Sequence, residues 1–355
     1  MADNQKKKRK GPFGLSPLGM IAGAALLVVL GLAAGVALDI ATRPDDARPK
    51  RAASSAPSVP PSPPRIFRDL APGEDGDAHA PPSILAPRPP ESAKPDTPRA
   101  DAATSVPTAG DKAPMVAYAM APPTNGPSAA LAIVIDDMGL DRTRTQAVIA
   151  LPAGVTVSLM TYADDLGGLT ARARAAGHEV LAHVPMQPLS SKEDPGPHAL
   201  TVGMDDSTIR ATLGTDLDRW QGYVGVNNHM GSRFTLDRAR MAVVMGELKS
   251  RGLLWLDSRT TTDTVGPAAA QTAGVPYVVR DIFLDNVETI DAVVEQLDRA
   301  IEAAKTHGTA IAIGHPHDTT IMALKQVLPT LRDRGVSLVP VTEILRRQQG
   351  HIRPS

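Results

Sequence analysis

The chain of 355 residues is long enough for about two average domains or one large barrel. Its formal net charge of −1 offers no broad basic surface and aromatic residues make up only 3%, so the composition argues against a nucleic-acid-binding protein. The chain has no cysteine, which excludes disulfide bonds, zinc sites built from thiolates and a cysteine nucleophile.

The N-terminus has the pattern of a membrane anchor. Residues 1–17 include a run of lysine and arginine, and the 21 residues from Leu18 to Leu38 carry no charge. A helix of that length measures about 31 Å, close to the hydrocarbon thickness of a bilayer. We therefore predict a transmembrane helix at 18–38 in a bacterial inner membrane, with the basic tail in the cytoplasm and the C-terminal domain in the periplasm. A cleaved secretory signal is the alternative, although its apolar core would normally be shorter.

Residues 39–128 are predicted to be a disordered tether. Twenty of the 33 prolines fall within 43–128, together with many alanine, serine and aspartate residues and few large apolar ones. Such a segment buries too little apolar surface to offset the entropy lost on ordering. A spacer is the default interpretation, and a proline-rich recognition motif is the less favoured one.

Residues 129–348 are predicted to form one α/β domain, followed by a short tail at 349–355. Apolar, β-branched runs alternate with helical patterns, as expected for strands buried on both faces of a parallel sheet. The predicted strands are Leu131–Ile135, Val155–Leu159, Glu179–Val184, Tyr223–Asn228, Leu253–Asp257, Pro276–Arg280, Thr309–Gly314 and Val336–Pro340. Helices are clearest over Val287–His307 and from Asp318 to about Arg334, with Asp318 as the N-cap. This repetition favours a barrel of seven or eight strands over an open sheet.

Polar residues follow the predicted strands at the points where those strands end. The carboxyl ends of parallel barrel strands open onto one face, where active sites of such barrels lie, so these residues are expected to converge. They are Asp136, Asp137, His183, Asn227, Asn228, His229, Asp257, Ser258, Arg259, Arg280, Asp281, His315 and His317.

Two adjacent aspartates and three histidines in this set suggest metal-dependent chemistry. Neighbours on an extended chain point to opposite sides, so one of Asp136 and Asp137 can bind a metal while the other moves a proton. His183 and His229 are favoured as metal ligands, because imidazole and carboxylate suit a borderline cation. His315 is the candidate proton donor, since imidazole titrates near neutral pH. Helix capping by an aspartate, or a satisfied core histidine, is the alternative in each case.

Three further strand-end residues are predicted to bind substrate or support the site. Asn228 would orient a ligand or contact substrate, and Asp257 is a reserve ligand or an orienting group behind the ligands. Arg259 is a candidate substrate contact, and Arg259 or Arg280 is expected to tune Asp136 by charge.

Five stretches of the domain resemble the divergent polysaccharide deacetylase family, a distant branch of the NodB-like carbohydrate esterases. They are Ile135–Gly139, His183–Pro188, Asn227–Ser232, Leu256–Thr260 and Ile313–His317, and they span nearly the whole domain. The resemblance implies a distorted (β/α) barrel and metal-dependent, zinc-type N-deacetylation of an acetylated sugar. It also implies that Asp136 is the general base, that Asp137 binds the metal and that His315 is the acid.

One departure from the NodB-like pattern concerns the metal ligands. The pattern has two histidines four residues apart, whereas here His183 is followed by Gln187. We therefore expect His229 to complete a site for a divalent ion, with zinc favoured, together with Asp137 and His183. The expected activity is removal of N-acetyl groups from an envelope polysaccharide or a peptidoglycan-like substrate. An inactive carbohydrate-binding or scaffold module, or a metal hydrolase for another amide or ester, is the alternative.

Overall fold

The computed structural model describes residue 110 and residues 112–351. The predicted basic tail at 1–17, the predicted transmembrane helix at 18–38 and most of the predicted tether at 39–128 lie outside the described residues. Among the helices that are described, none combines the length and the apolar character needed to cross a bilayer.

Parallel strands and surrounding helices make up the described domain. In chain order the strands are β1 Ala129–Met138, β2 Thr156–Met160, β3 Glu179–Met186, β4 Gly225–Met230, β5 Leu254–Asp257, β6 Tyr277–Val279, β7 Ile282–Phe283, β8 Thr309–Gly314 and β9 Val336–Leu338. The helices are α1 Pro114–Ala117, α2 Arg142–Ile149, α3 Leu166–Ala175, α4 Asp206–Leu217, α5 Arg238–Arg251, α6 Gly266–Ala273, α7 Ile290–His307, α8 Asp318–Val327 and α9 Val341–His351. Single turns of 3₁₀ helix lie at Phe234–Leu236 and Leu328–Thr330.

The strands form one curled sheet in the order β6-β5-β4-β3-β2-β1-β8-β7, and β9 pairs with the first residues of β1. The two end strands are consecutive in the chain, separated only by Arg280 and Asp281. One continuous segment thus pairs first with β5 and then with β8. The α/β class and the parallel sheet are confirmed, and the predicted distorted barrel takes the form of a curled half-barrel of nine described strands.

The eight predicted strands are present, Thr309–Gly314 with the predicted bounds and the other seven with shifted ends, and β7 was not predicted. The helix predicted over Val287–His307 begins later, at Ile290. The reason is an N-cap, because the Thr289 side chain accepts a hydrogen bond from the backbone N–H of Ala292.

The helix predicted to begin at Asp318 and to run to about Arg334 is shorter, and its cap differs. It ends as an α-helix at Val327 and continues as a turn of 3₁₀ helix. His317 holds the N-cap position, so the prediction of Asp318 as N-cap is wrong. The Asp318 carboxylate instead pairs with Arg144 at 3.1 Å, which joins α2 to α8.

Alternation along β1 divides its apolar side chains between two layers. One set packs between the sheet and the outer helices, and it comprises Leu131, Ile133 and Ile135. The other set fills the interior of the curl, and it comprises Ala130, Ala132 and Val134. Because side chains alternate, Asp136 follows Val134 onto the inner side and lies at the top of the inner core.

The described chain makes ordered contacts before the predicted domain boundary at residue 129. Tyr118 is buried, and the backbone N–H of Met120 donates to the Glu179 carboxylate at 3.1 Å. The same carboxylate accepts from the backbone N–H of Thr342 at 2.9 Å, at the start of α9. Glu179 therefore ties both ends of the domain to the amino end of β3.

The link between β6 and β7 contains a partly buried carboxyl group, that of Asp281. The backbone N–H of Asp281 donates to the Ile311 carbonyl at 2.9 Å, and Asp281 Oδ2 accepts from the Ile311 N–H at 2.8 Å. Burial raises the pKa of Asp281 to about 6, against the opposing charges of Arg259 and Arg280. Because the folded chain binds this proton more tightly than the unfolded chain, stability falls as pH rises through the interval between the two pKa values.

We expect Asp281→Asn to remove this pH-dependent loss of stability. Relative to wild type, the variant should gain roughly 1–3 kcal/mol in the free energy of unfolding as the pH rises from about 4 to about 7. Urea unfolding of both proteins across this interval measures the effect. Asp263→Asn, which replaces an exposed side chain in the same half of the domain, is the matched control. A difference that stays constant with pH for Asp281→Asn would contradict the prediction.

Candidate metal centre and active site

A β-bulge places Asp136 and Asp137 at the carboxyl end of β1. The pairing of β1 with β2 shifts register between Ile135 and Met138, and Asp137 has a φ of 54°, which non-glycine residues seldom adopt. His183 Nε2 lies 3.7 Å from Asp136 Oδ2 and 3.2 Å from Asp137 Oδ1. Both carboxylates therefore approach the same imidazole. The expectation that they point to opposite sides is wrong, because the chain is not extended at Asp137.

The three side chains predicted as metal ligands meet at this point. Asp137 Oδ1 lies 2.8 Å from His229 Nδ1 and 3.2 Å from His183 Nε2. One ligand atom from each of the three residues lies within 4.8 Å of the others. The two imidazole rings meet edge to face, with their centroids 5.1 Å apart.

The chemistry of this cluster fits a divalent cation. Asp137 Oδ1 is buried and faces two imidazole nitrogens, at 2.8 and 3.2 Å, without a hydrogen bond of good geometry to either. A buried carboxylate oxygen without a partner is costly, and a shared cation would satisfy it. One carboxylate oxygen and two imidazole nitrogens form a donor set typical of zinc.

The surroundings drive the pKa values of the two adjacent aspartates apart. Burial raises the pKa of Asp136, and the nearby His183 opposes this effect only in part. Asp137 is only partly buried, and although desolvation acts to raise its pKa, His229 and His183 hold that pKa well below the usual range. Asp137 therefore remains ionised, as a metal ligand must, and Asp136 is the carboxyl that more readily keeps a proton.

Asn227 connects these groups; it was among the strand-end residues expected to converge, but no role was predicted for it. Its Nδ2 donates to Asp136 Oδ1 at 2.8 Å, and its Oδ1 lies 2.9 Å from His183 Nδ1. Since Oδ1 can only accept, His183 donates through Nδ1 and keeps the lone pair of Nε2 directed towards Asp137. The sequence could have indicated this role, because side chains alternate along β4 and Asn227 therefore lies on the same face as His229.

Asn228 and Asp257 form hydrogen bonds within the fold, away from the metal cluster. Asn228 Oδ1 accepts from the backbone N–H of Ser258 at 3.0 Å. Asp257 is fully buried and accepts from the backbone N–H of Arg259 at 2.8 Å and from Thr264 Oγ1 at 2.9 Å. Arg259 is exposed and has a φ of 47°. These residues shape the loop that follows β5.

Arg259 and Arg280 were expected to tune Asp136, and the structure places their charges elsewhere. Arg280 Nε donates to the Ser258 carbonyl at 2.6 Å, and its Nη2 donates to the Arg259 carbonyl at 2.8 Å. Burial raises the pKa of Asp281, and both guanidinium groups oppose that rise. The charged groups that shift the pKa of Asp136 are histidines and the adjacent aspartate.

His315 follows β8 and is held by Asp285, a residue that the sequence did not reveal. His315 Nδ1 lies 3.1 Å from Asp285 Oδ1, and the His315 backbone N–H donates to Asp285 Oδ2 at 2.6 Å. Thr320 Oγ1 donates to the same Oδ2 at 2.8 Å. Burial lowers the pKa of His315, but Asp285 outweighs this effect and raises the pKa to about 10. His315 is therefore a cation near neutral pH, with a proton to donate.

His317 lies beside this pair, with its ring centroid 5.9 Å from that of His315. Asp285, His315 and His317 also offer ligand atoms within 4.8 Å of one another. Because the Asp285 carboxylate already pairs with His315 and Thr320, we assign Asp285 as the residue that positions His315.

Gln187 occupies the position at which the NodB-like pattern has its second histidine, and its side chain forms a hydrogen bond with the backbone. Gln187 Oε1 accepts from the Val202 N–H at 3.0 Å, and the Gln187 carbonyl accepts from the Arg233 and Phe234 N–H groups at 3.1 Å. Gln187 thus braces the loop after β3, while His229 on β4 faces Asp137.

Comparisons with known proteins agree with this description. The divergent polysaccharide deacetylase family matches residues 133–345. The uncharacterized protein YibQ of Escherichia coli (strain K12) is 35% identical over 219 residues, which is 62% of this chain and 68% of YibQ. An uncharacterized protein of Haemophilus influenzae is 35% identical over 221 residues, which is 62% of this chain and 78% of that protein. The crystal structure of uncharacterized protein ATU2773 from Agrobacterium tumefaciens C58 has a TM-score of 0.64 and 28% identity, covering 68% of this chain and 98% of that one.

We expect Asn227→Ala to weaken binding of a divalent metal by about 10–100-fold. The variant leaves His183 without the acceptor that fixes its ring, and it leaves Asp136 Oδ1 without its donor. Isothermal titration of the metal-stripped protein with Zn²⁺ measures the change. Asn228→Ala is the matched control, because it removes an equally buried amide that contacts neither residue. Equal losses of affinity in the two variants would contradict the assignment.

Proposed function

The chain belongs to the divergent polysaccharide deacetylase family, and we propose that its domain is a metal-dependent hydrolase that removes N-acetyl groups from an envelope polysaccharide. The observation that carries the proposal is the convergence of three kinds of group on one face. These are the Asp137 cluster, the buried Asp136 carboxyl and the His315 cation held by Asp285. Amide hydrolysis needs an electrophilic centre, a base and an acid, and each has a candidate here.

Asp137, His183 and His229 would hold the ion. When bound, a zinc-type ion would polarise the acetamide carbonyl and lower the pKa of a water molecule. Asn227 supports this role through the hydrogen bond that fixes the His183 ring.

Asp136 is suited to accept the proton of the attacking water. Its Oδ1 is held by Asn227 Nδ2, so Oδ2 is the oxygen left for proton transfer. Its raised pKa favours retention of the accepted proton. The water oxygen forms the new bond to the carbonyl carbon as that proton moves to Asp136.

His315 is suited to protonate the leaving amine. Asp285 holds Nδ1, so Nε2 is the free donor on the ring. As the carbon–nitrogen bond breaks, the amine takes this proton and departs neutral, and acetate is the other product. The predicted anchor and tether would hold this chemistry in the periplasm, close to an acetylated glycan or a peptidoglycan-like polymer.

Metal content and acetate release test the proposal together. We expect one divalent ion per chain, and release of acetate from chitooligosaccharides or peptidoglycan fragments. Asp137→Asn and His229→Ala should lose the ion, whereas Gln187→Ala should keep it, because its side chain braces a loop instead. Asp136→Asn and His315→Gln should keep the ion and lower kcat by about 100-fold or more.

Two results would contradict the proposal. A domain without metal and without acetate release would favour the alternative of an inactive binding or scaffold module. A domain that holds the ion but cleaves only other amides or esters would place the substrate outside acetylated sugars.

We expect Asp285→Asn to move the basic limb of the pH profile of kcat/KM to lower pH. Asp285 raises the pKa of His315, and activity requires the protonated ring, so loss of the carboxylate lowers the pH at which activity declines. The measurement is kcat/KM between about pH 6 and about pH 10. Glu288→Gln is the control, because Glu288 pairs with His317 and not with His315. An unshifted basic limb would assign the acid to another group.

A further inference from the structure

Strand β2 lies between the two strands that carry the first two candidate metal ligands. It pairs with β1 on one side and with β3 on the other. Asp137 lies on β1 and His183 on β3, and Met160, the last residue of β2, pairs with His183. The residues that follow Met160 therefore reach the edge of the cluster formed by Asp137, His183 and His229.

Contacts on both sides of Tyr162 place this residue at that edge. The backbone N–H of Thr161 donates to the His183 carbonyl at 3.2 Å. Ala163 packs against Gly139, in the turn at the end of β1, where an added Cβ would lie 2.7 Å from Ala163 Cβ. Tyr162 thus stands between a metal-ligand strand and the turn that positions the two aspartates.

The Tyr162 hydroxyl is a donor without a partner in the part of the chain that the structure describes. The side chain is partly buried. Burial, together with the charges of Asp137 and Asp194, raises the pKa of Tyr162 to about 12, so the hydroxyl keeps its proton near neutral pH. Because charge interactions weaken with distance, the effect of Asp137 agrees with the backbone contacts in placing the hydroxyl near the cluster.

Neighbouring groups hold the Tyr162 segment in place. The Arg219 guanidinium donates to the backbone carbonyls of the residues on either side of Tyr162. Thr161 Oγ1 donates to the buried Asp216 carboxylate at 2.8 Å. Gly196 has a φ of 88° and packs against the tyrosine, since an added Cβ would lie 2.9 Å from the hydroxyl oxygen. A donor fixed in this way loses little on reorganisation when a reaction begins.

The sheet order separates Tyr162 from the candidate acid. Tyr162 follows β2 and His315 follows β8, and these two strands flank β1 on opposite sides. An amide held at the cluster would therefore meet the two side chains from different directions. His315 is assigned to the amide nitrogen, which leaves the carbonyl oxygen for Tyr162.

We propose that Tyr162 is a further catalytic residue, whose hydroxyl donates a hydrogen bond to the acetyl oxygen as water attacks the carbonyl carbon. This inference rests on the proposed function and adds a residue to the same site. The attack gives the acetyl oxygen a negative charge, so a fixed donor beside it stabilises the transition state more than the substrate. The proton stays on Tyr162, and the two proton transfers remain with Asp136 and His315.

Tyr162→Phe, which removes only the hydroxyl, tests the proposal in the full chain. We expect kcat for acetate release from chitooligosaccharides to fall by about 100-fold, with KM and the affinity for Zn²⁺ unchanged. An amino sugar with a methylphosphonamidate in place of the acetamide mimics the tetrahedral intermediate, and isothermal titration should show a similar loss of affinity for it. Tyr277→Phe is the matched control, because Tyr277 is also partly buried but lies at the start of β6.

The outcomes separate this proposal from the proposed function. If wild type releases acetate and Tyr162→Phe matches it in kcat and in affinity for the mimic, the role of Tyr162 alone is overturned. A raised KM with unchanged kcat would overturn it too, because the hydroxyl would then bind the substrate and the transition state equally. If wild type releases no acetate, the proposed function fails and this inference fails with it.

Discussion

The bulge at the end of β1 is the local feature on which the rest of the site depends. In a regular strand Asp137 would follow Ile135 towards the outer helices, into an apolar layer where a carboxylate has no partner. Its left-handed backbone turns it inwards instead, within reach of His183 and His229. Gly139 completes the turn, since a Cβ built there would lie 2.7 Å from Ala163 Cβ. Strain in this short segment is stored where the function needs it.

Hydrogen bonds to fixed neighbours then give chemically similar groups different tasks. Two adjacent carboxyls share one neighbourhood, yet Asp137 faces two imidazoles while Asp136 accepts from the Asn227 amide. Each of the two important imidazoles is held by its Nδ1, one by an amide oxygen and the other by the Asp285 carboxylate. The neutral acceptor on Nδ1 of His183 leaves its Nε2 facing Asp137, where a cation could bind, whereas the anionic acceptor on Nδ1 of His315 favours the charged ring.

Sequence reasoning brought together most residues of the candidate site because strand ends in a parallel sheet share one face. This rule was enough to place His229 beside Asp137 and His183, although the NodB-like pattern puts the second histidine elsewhere. The rule does not identify residues whose position depends on the local backbone conformation. Asn227 and Asn228 are adjacent and chemically alike, and only alternation along β4, taken from His229, distinguishes them. Asp285 follows β7, which at two residues is too short to stand out as an apolar run. Residue type signals the backbone turn at Asp137 only weakly, because aspartate tolerates the left-handed conformation better than most residues but adopts it at a minority of its positions.

The candidate third ligand comes from β4, which has a consequence for the loop after β3. No residue of 188–199 belongs to the cluster of Asp137, His183 and His229, and Gln187 secures the base of this loop through the Val202 N–H. In the proposed site, insertions, deletions and changes of composition in this loop would therefore leave all three candidate ligands in place. Related domains could then differ in this loop and keep the same proposed chemistry.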